Sequence, residues 1–393
     1  MHATHVNDAS AELGGELAGV LRGPDAVIAA VPYLLGFHPQ DSIVIVWMRE
    51  RRICLTQRMD LASDGIGEGL AVNAVAMIAA NAQATSAIAV IYGGDPNAHR
   101  GWRRDVYETL ARGLDSAQVP LVDALHVHQG RWWSYQCKQE CCPASGRAID
   151  LLVQQEVASI LADACSEPAQ SREAVVGVLA PDPNAQARIG PRVEGLAAAL
   201  RALIDEAEHA PQALEQWRDQ HLARLLPRFL GHGIDPRSTD EGEVAAVIVG
   251  LSDVRVRDTL LWHLAQARDV DACLGWLANA MRAAPDGHVA PVATCTAIAA
   301  WLHGDGVRAN AALERALADD RDYALGWLVA QSIINGLPPD TWRGVMSTLS
   351  ERECRTGNPA PMDDEPDDEP DESRFDRRQG GGDLADPLAQ DGG

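Results

Sequence analysis

The chain has 393 residues and a formal net charge of −23, from 56 acidic side chains against 33 basic ones, of which all but Lys138 are arginine. Amine chemistry, in a Gly-Lys-[Ser/Thr] phosphate loop, a kinase strand or a Schiff base, has only Lys138 to draw on, and no glycine-rich run precedes it. The acidic balance argues against a general nucleic-acid or anionic-membrane binder, since both need a cationic footprint.

Hydrophobic content of 46% and charged content of 23% are those of a globular chain. Its length predicts more than one folded unit, because single cores stop growing near ~250–300 residues. No signal-type start opens the sequence, and no apolar run approaches the ~20 residues of a membrane helix, so a cytoplasmic location is expected. The eight cysteines then read as reduced thiols.

After a flexible N-terminus over 1–21, an α/β domain is expected over 22–145. Pro24-Asp25 starts a short helix, Pro32 interrupts it, and Gly36 caps the segment. Ile43 to Met48 and Ile53 to Asp60 are strands joined as a hairpin by Arg49-Glu50-Arg51-Arg52. Leu70 to Asn81 is an alanine-rich helix, Ala87 to Tyr92 a third strand, and Trp102 to Leu114 an amphipathic helix with Val106, Leu110 and Leu114 on one stripe. Leu121 to Val127 and Trp132 to Gln136 form a last hairpin around Gln129-Gly130. The fold class is α+β or α/β: a mixed sheet covered by helices, followed by an all-α C-terminal domain.

A helical connecting region is expected over 146–242 and a helical repeat-like domain over 243–350. Ala309, Leu313, Ala316 and Leu317 follow Gly304, and Ala272, Trp276 and Ala280 lie about 37 residues upstream. This spacing resembles tetratricopeptide repeats, in which helix pairs stack on small residues. Arg321 stands where that family usually has proline, and an irregular helical bundle would use the same small-residue contacts. From 355 to 393 the chain carries 12 acidic and 4 basic residues with proline and glycine runs, which predicts a disordered acidic tail.

Val31-Pro32-Tyr33-Leu34-Leu35-Gly36-Phe37-His38-Pro39-Gln40-Asp41-Ser42, followed by a strand and by Arg58-Met59-Asp60-Leu61, resembles the opening of the actinobacterial domain-of-unknown-function family 4192. Trp132-Trp133-Ser134 with Cys141-Cys142-Pro143, and the Gly304–Leu317 stretch, resemble its later segments. The resemblance implies a bacterial cytoplasmic protein with one architecture across most of 22–340. It implies no reaction, cofactor or substrate.

Three groups of residues carry chemistry. His38, Asp41 and Ser42 place a base, a carboxylate and a hydroxyl within five positions, suited to proton transfer, although such residues also cap helices and turns. Arg58 and Asp60 share a strand face with Thr56. Asp60 and Asp95 both follow strands, at ends where open sheets gather ligands, so Arg58 could hold a carboxylate or phosphate; a structural ion pair is the plainer reading. Cys137, Cys141 and Cys142, with His126 and His128 nearby, read most plainly as packed cysteines, with a structural zinc site and a redox thiol pair as the alternatives. In an extended hairpin, however, Cys137 falls roughly 13 Å from His126, too far to share one ion unless the loop folds back. Asp64 to Gly69 lacks the G-x-G-x-x-G spacing and reads as a flexible loop. The C-terminal tryptophans read mostly as core.

These features point to a binding or regulatory protein, with a small anionic ligand on the N-terminal domain and a protein partner on the helical one. The alternatives are a hydrolase or transferase for a small anionic metabolite, built from His38, Asp41, Arg58, Asp60 and Asp95, and a zinc-stabilised module around the cysteines. No cofactor other than that zinc is implied.

Overall fold

The computed structural model describes residues 2–5, 23–50, 52–61, 72–94, 102–162, 167–230, 240–267 and 270–357, with the backbone alone for 2–5. Asp95, the Asp64–Gly69 loop and the acidic tail from residue 358 lie outside the described residues.

The strands are β1 (His2–His5), β2 (Ser42–Arg49), β3 (Arg52–Asp60), β4 (Ser86–Tyr92), β5 (Leu121–His128), β6 (Arg131–Ser134) and β7 (Arg147–Ala148). They form one mixed sheet in the order β1-β3-β2-β4-β5-β6-β7. Every neighbouring pair is antiparallel except β4 and β5, which are parallel. The β5–β6 hairpin has the expected register, His126 opposite Trp133 and His128 opposite Arg131. Gln129 and Gly130 both have positive φ, as the tight twisted turn requires.

Three expectations are corrected. His2–His5, within the segment expected to be flexible, is an edge strand with His2 opposite Arg58. Pro32 does not end the first helix, α1 (Pro24–Leu35), which continues to the expected left-handed cap at Gly36. Val27, Ile28, Val31 and Leu35 bury against the sheet, and that packing outweighs the one hydrogen bond that proline removes. Strand β6 stops at Ser134, so Cys137 leaves the sheet instead of extending it.

The alternation of strand side chains divides the core in two. Ile43, Ile45, Trp47, Leu55, Ala89 and Ile91 face α2 (Val72–Asn81), α3 (Arg104–Ser116) and the C-terminal helices. Val44, Val46, Val90, Leu125, Val127 and Trp132 face α1. α3 is the crossover between the parallel strands β4 and β5.

The helical part runs α4 (Leu151–Leu161), α5 (Arg172–Gly177), α6 (Pro183–Asp205), α7 (Pro211–Phe229), α8 (Glu241–Gly250), α9 (Val254–Gln266), α10 (Asp271–Ala283), α11 (Val289–His303), α12 (Gly306–Asp319), α13 (Ala324–Ile334), α14 (Pro339–Ser347) and α15 (Glu351–Thr356). Aspartates supply many of the starts: Asp150, Asp182, Asp240, Asp253 and Asp305 each accept backbone N–H bonds at an N-terminus. α11 is apolar on every side. From Val289 to Leu302 all its residues except Pro291 are buried, because α10, α12 and α13 enclose it. Trp276, Ala280, Ala309, Leu313 and Ala316, the residues of the sequence echo, are buried in the same core. Arg355 and Thr356, at the start of the expected tail, still belong to α15, and Gly357 caps it.

One core joins the sheet to these helices across the expected boundary at 145. Gly336, after α13, sits so close to Leu55 and Ile78 that a β-carbon there would lie 3.0 Å from Ile78 Cγ2. Asn81 Nδ2 donates to the Asn335 carbonyl at 2.7 Å. Among the described residues no helix is long and apolar enough to cross a membrane.

Candidate functional site

The entry to β2 and the exits of β3, β4 and β5 lie at the same end of the sheet. Across that end, on the α1 side, the register aligns Asp60, Ser42, Tyr92, Val127 and Trp132 in one row. The next row begins with Arg58 and Val44. Alternation thus places the Ser42, Arg58, Asp60 and Tyr92 side chains on one face, and Thr56, opposite Val46, joins them.

Arg58 is the centre of this group. It is 6% exposed, its Nη2 lies 2.6 Å from Asp60 Oδ1, and its guanidinium stands 5.7 Å from the centroid of the Phe37 ring. Nη2 also reaches the Gln40 carbonyl at 3.4 Å. Its Nε and Nη1 are buried and have no hydrogen-bond partner among the described residues. The same holds for Ser42 Oγ, Thr56 Oγ1 and the Tyr92 hydroxyl. Burial pushes the Tyr92 phenol well up, so it is a neutral donor. The charge of Arg58 reaches across to Glu173 on α5. The Glu173 carboxyl is held below the usual range by its bonds to Ser171 and its own backbone first, then by Arg172 and Arg58.

Of the sequence-predicted residues, Ser42, Arg58 and Asp60 converge here, and Asp41 stands beside them with its carboxylate against Gly93. Asp41, at φ 39, accepts a bond from the Leu61 N–H, which ties the entry of β2 to the exit of β3. His38 lies on the same loop, exposed, and its backbone N–H donates to the Ala169 carbonyl at 3.0 Å. Its ring makes no hydrogen bond to Ser42 or Asp41. Asp95 follows Gly94 and lies outside the described residues. Tyr92 was missed by sequence reasoning, although a polar tip ending an otherwise apolar strand just before Gly93-Gly94 is a visible signal. Phe37 was read only as part of a motif.

The opposite face at this end is aromatic. His126 stacks between Trp102 at 4.8 Å and Trp133 at 5.1 Å, and its Nε2 donates to the Gly93 carbonyl at 2.8 Å. Burial lowers its pKa, the Gly93 bond partly offsets this, and His128 adds a further lowering. His126 is therefore committed to the turn after β4 and is not turned toward the cysteines.

Beyond β6 the chain does fold back. Trp133 Nε1 donates to Ala144 O at 3.0 Å, and Arg131 binds Ser145 O at 2.8 Å and Gly146 O at 2.9 Å. This brings the Cys137, Cys141 and Cys142 sulfurs within 4.8 Å of one another. Burial, then contact with the other two thiols, pushes the Cys142 thiol up to about 11.

Neither the curated proteins nor the solved structures offer a match to this chain. A family profile does match, over residues 24–340, so both the polar strand end and the cysteine loop fall within it. The chain belongs to the family described as a domain of unknown function, DUF4192.

Proposed function

We propose that the protein binds a small anion, a carboxylate or phosphate ester, at the strand end around Arg58. The observation that carries this reading is a nine-tenths-buried guanidinium with two nitrogens lacking a partner among the described residues, beside the equally buried hydroxyls of Ser42, Thr56 and Tyr92. Each buried polar group left unpaired costs about 1–3 kcal/mol, and more when charged. A fold keeps such a group where a ligand completes it. Arg58 offers single donors at Nε and Nη1, on different edges of the guanidinium, while Asp60 holds Nη2, and the Tyr92 and Ser42 hydroxyls supply further donors. A cytoplasmic binding or regulatory role is part of the same proposal. The helical half would then carry a protein partner, and exposed Trp327 and Leu328 on α13 with Val345 on α14 support that part of it.

The test is a thermal-shift screen of phosphate esters and dicarboxylates, followed by calorimetric titration of any hit. A ligand that binds the native state raises the melting temperature, and Arg58→Lys is expected to abolish the rise by losing the Nε and Nη1 donors. Tyr92→Phe is expected to weaken binding while leaving the unliganded protein as stable or slightly more so, because it removes a buried hydroxyl without a partner. No shift with any anion at millimolar concentration, or an equal shift in Arg58→Lys, would overturn the proposal.

A further inference from the structure

The cysteine loop has no part in the anion site, yet its geometry is organised with care. Ser134 Oγ accepts the backbone N–H groups of Gln136 and Cys137 at 3.2 and 3.1 Å, and donates to Asp123 Oδ1 at 2.9 Å. These bonds fix the point where Cys137 leaves β6. The far limb of the loop is fixed separately by Arg131 and Trp133, through the carbonyls of residues 144–146. Gly146, at φ 72, lies so close under the Trp133 ring that no β-carbon fits there. Arg147 Nη1 donates to the Cys141 carbonyl at 3.2 Å, and the Arg147 guanidinium stands 5.7 Å from the Trp132 ring centroid. Cys142 is buried against the α1-side core, while Cys141 reaches solvent.

Three sulfurs from Cys137-x3-Cys141-Cys142 thus meet on a pre-shaped loop. Cys137 Sγ and Cys141 Sγ are 3.5 Å apart. A disulfide needs about 2.05 Å, whereas two thiolates on one tetrahedral zinc, each at ~2.3 Å, are separated by roughly 3.8 Å. A disulfide would also use two of the three sulfurs and leave the third against it. We propose that Cys137, Cys141 and Cys142 bind one thiophilic divalent cation, zinc, as a three-thiolate site.

His126 is not the fourth ligand, because it lies on the sheet face opposite to the core that buries Cys142 and does not join the three sulfurs. The fourth position is taken by water or a small donor entering from the solvent side at Cys141. Binding exchanges three S–H bonds for three S–Zn bonds and releases three protons to solvent, so affinity falls as pH drops. Three thiolates around a divalent ion leave one net negative charge; Arg147 Nη1 is held at the Cys141 carbonyl, and the loop also carries Lys138 and Glu140, both exposed. Ser134 Oγ, accepting the Cys137 N–H, and Arg147, donating to the Cys141 carbonyl, hold the ligand backbone as the outer shell of the site, and Arg131 holds the returning limb through Ser145 and Gly146.

The experiment uses full-length protein purified without a histidine tag. Elemental analysis is expected to find stoichiometric zinc. Replacement by cobalt(II) is expected to give thiolate-to-cobalt charge-transfer bands and the intense visible bands of a four-coordinate ion. Cys141→Ser, at an exposed position that leaves the fold intact, is expected to lose the metal and these bands. Chelation is expected to lower the melting temperature of the wild type and leave that of Cys141→Ser unchanged. Sub-stoichiometric zinc with no cobalt spectrum would overturn the proposal. So would stoichiometric metal retained in the Cys137→Ser/Cys141→Ser variant, or an intact mass two hydrogens low that recovers on reduction, which marks a disulfide instead.

Discussion

The Asp41 carboxylate fills the space that a β-carbon on Gly93 would need. The two residues open β2 and follow β4, so the contact locks together the two antiparallel strands that border the anion site. Gly93 has φ 106, a conformation side chains avoid. Gly93→Ala is expected to destabilise the protein by at least about 1–3 kcal/mol, from backbone strain alone. The contact adds to that. Denaturant midpoints would measure the loss, and adding Asp41→Gly should recover only the part due to the contact. Wild-type stability in Gly93→Ala would contradict this account.

Asp253 makes the second prediction. It is buried at the start of α9, accepts the N–H groups of Arg255 and Val256 at 3.0 Å each, and is held by Arg218 Nη2 at 3.0 Å. Asp253→Ala removes the cap and one of the two carboxylates on Arg218, leaving Glu215 Oε1 at 2.7 Å from Nη1. The expected cost is about 2–4 kcal/mol, from the lost cap and the lost charge-assisted bond. Asp253→Asn keeps an oxygen for the cap and should cost less. An equilibrium melt in which Asp253→Asn costs as much as Asp253→Ala would assign the loss to the ion pair, and one in which it costs almost nothing would assign it to the cap.

The third concerns pH. Burial holds His126 below its usual pKa, and also His221, which stacks on Trp217 at 3.7 Å. Below pH ~6.5 the unfolded chain protonates these rings while the folded chain resists. Stability should therefore fall as pH drops from about 6.5 toward the lowered folded values, and be flat for these groups above it. His126→Gln, which keeps a donor for Gly93 O, should flatten part of that slope in thermal melts recorded at pH 5 to 7. An unchanged slope would assign the acid sensitivity elsewhere.

Local rules carried the fold a long way. The Gln129-Gly130 turn, the register it imposes and the Gly36 cap follow from residues whose backbone preferences are strong and short-range. Pro32 was misread because its local cost was weighed without the sheet that α1 covers. The site divides along the same line. Arg58, Asp60 and Thr56 share a strand, so period-two alternation put them on one face. Tyr92 joins them only through the pairing of Ser42 with β4, a strand distant in sequence, which no local pattern encodes. The cysteines needed the loop to return, and the bonds that return it come from Arg131 and Trp133 side chains to carbonyls, which leave no trace in a spacing rule.

The seam between Asn81 and Asn335 links residues 254 apart in the chain. Translation runs at about 5–20 residues per second, so Ile78 and Leu55 emerge from the ribosome roughly 13–50 s before Gly336 arrives to cover them. For that interval the nascent sheet presents an uncovered apolar face, and the newborn chain depends on α2 and α3, or on a chaperone, to keep it from meeting another copy.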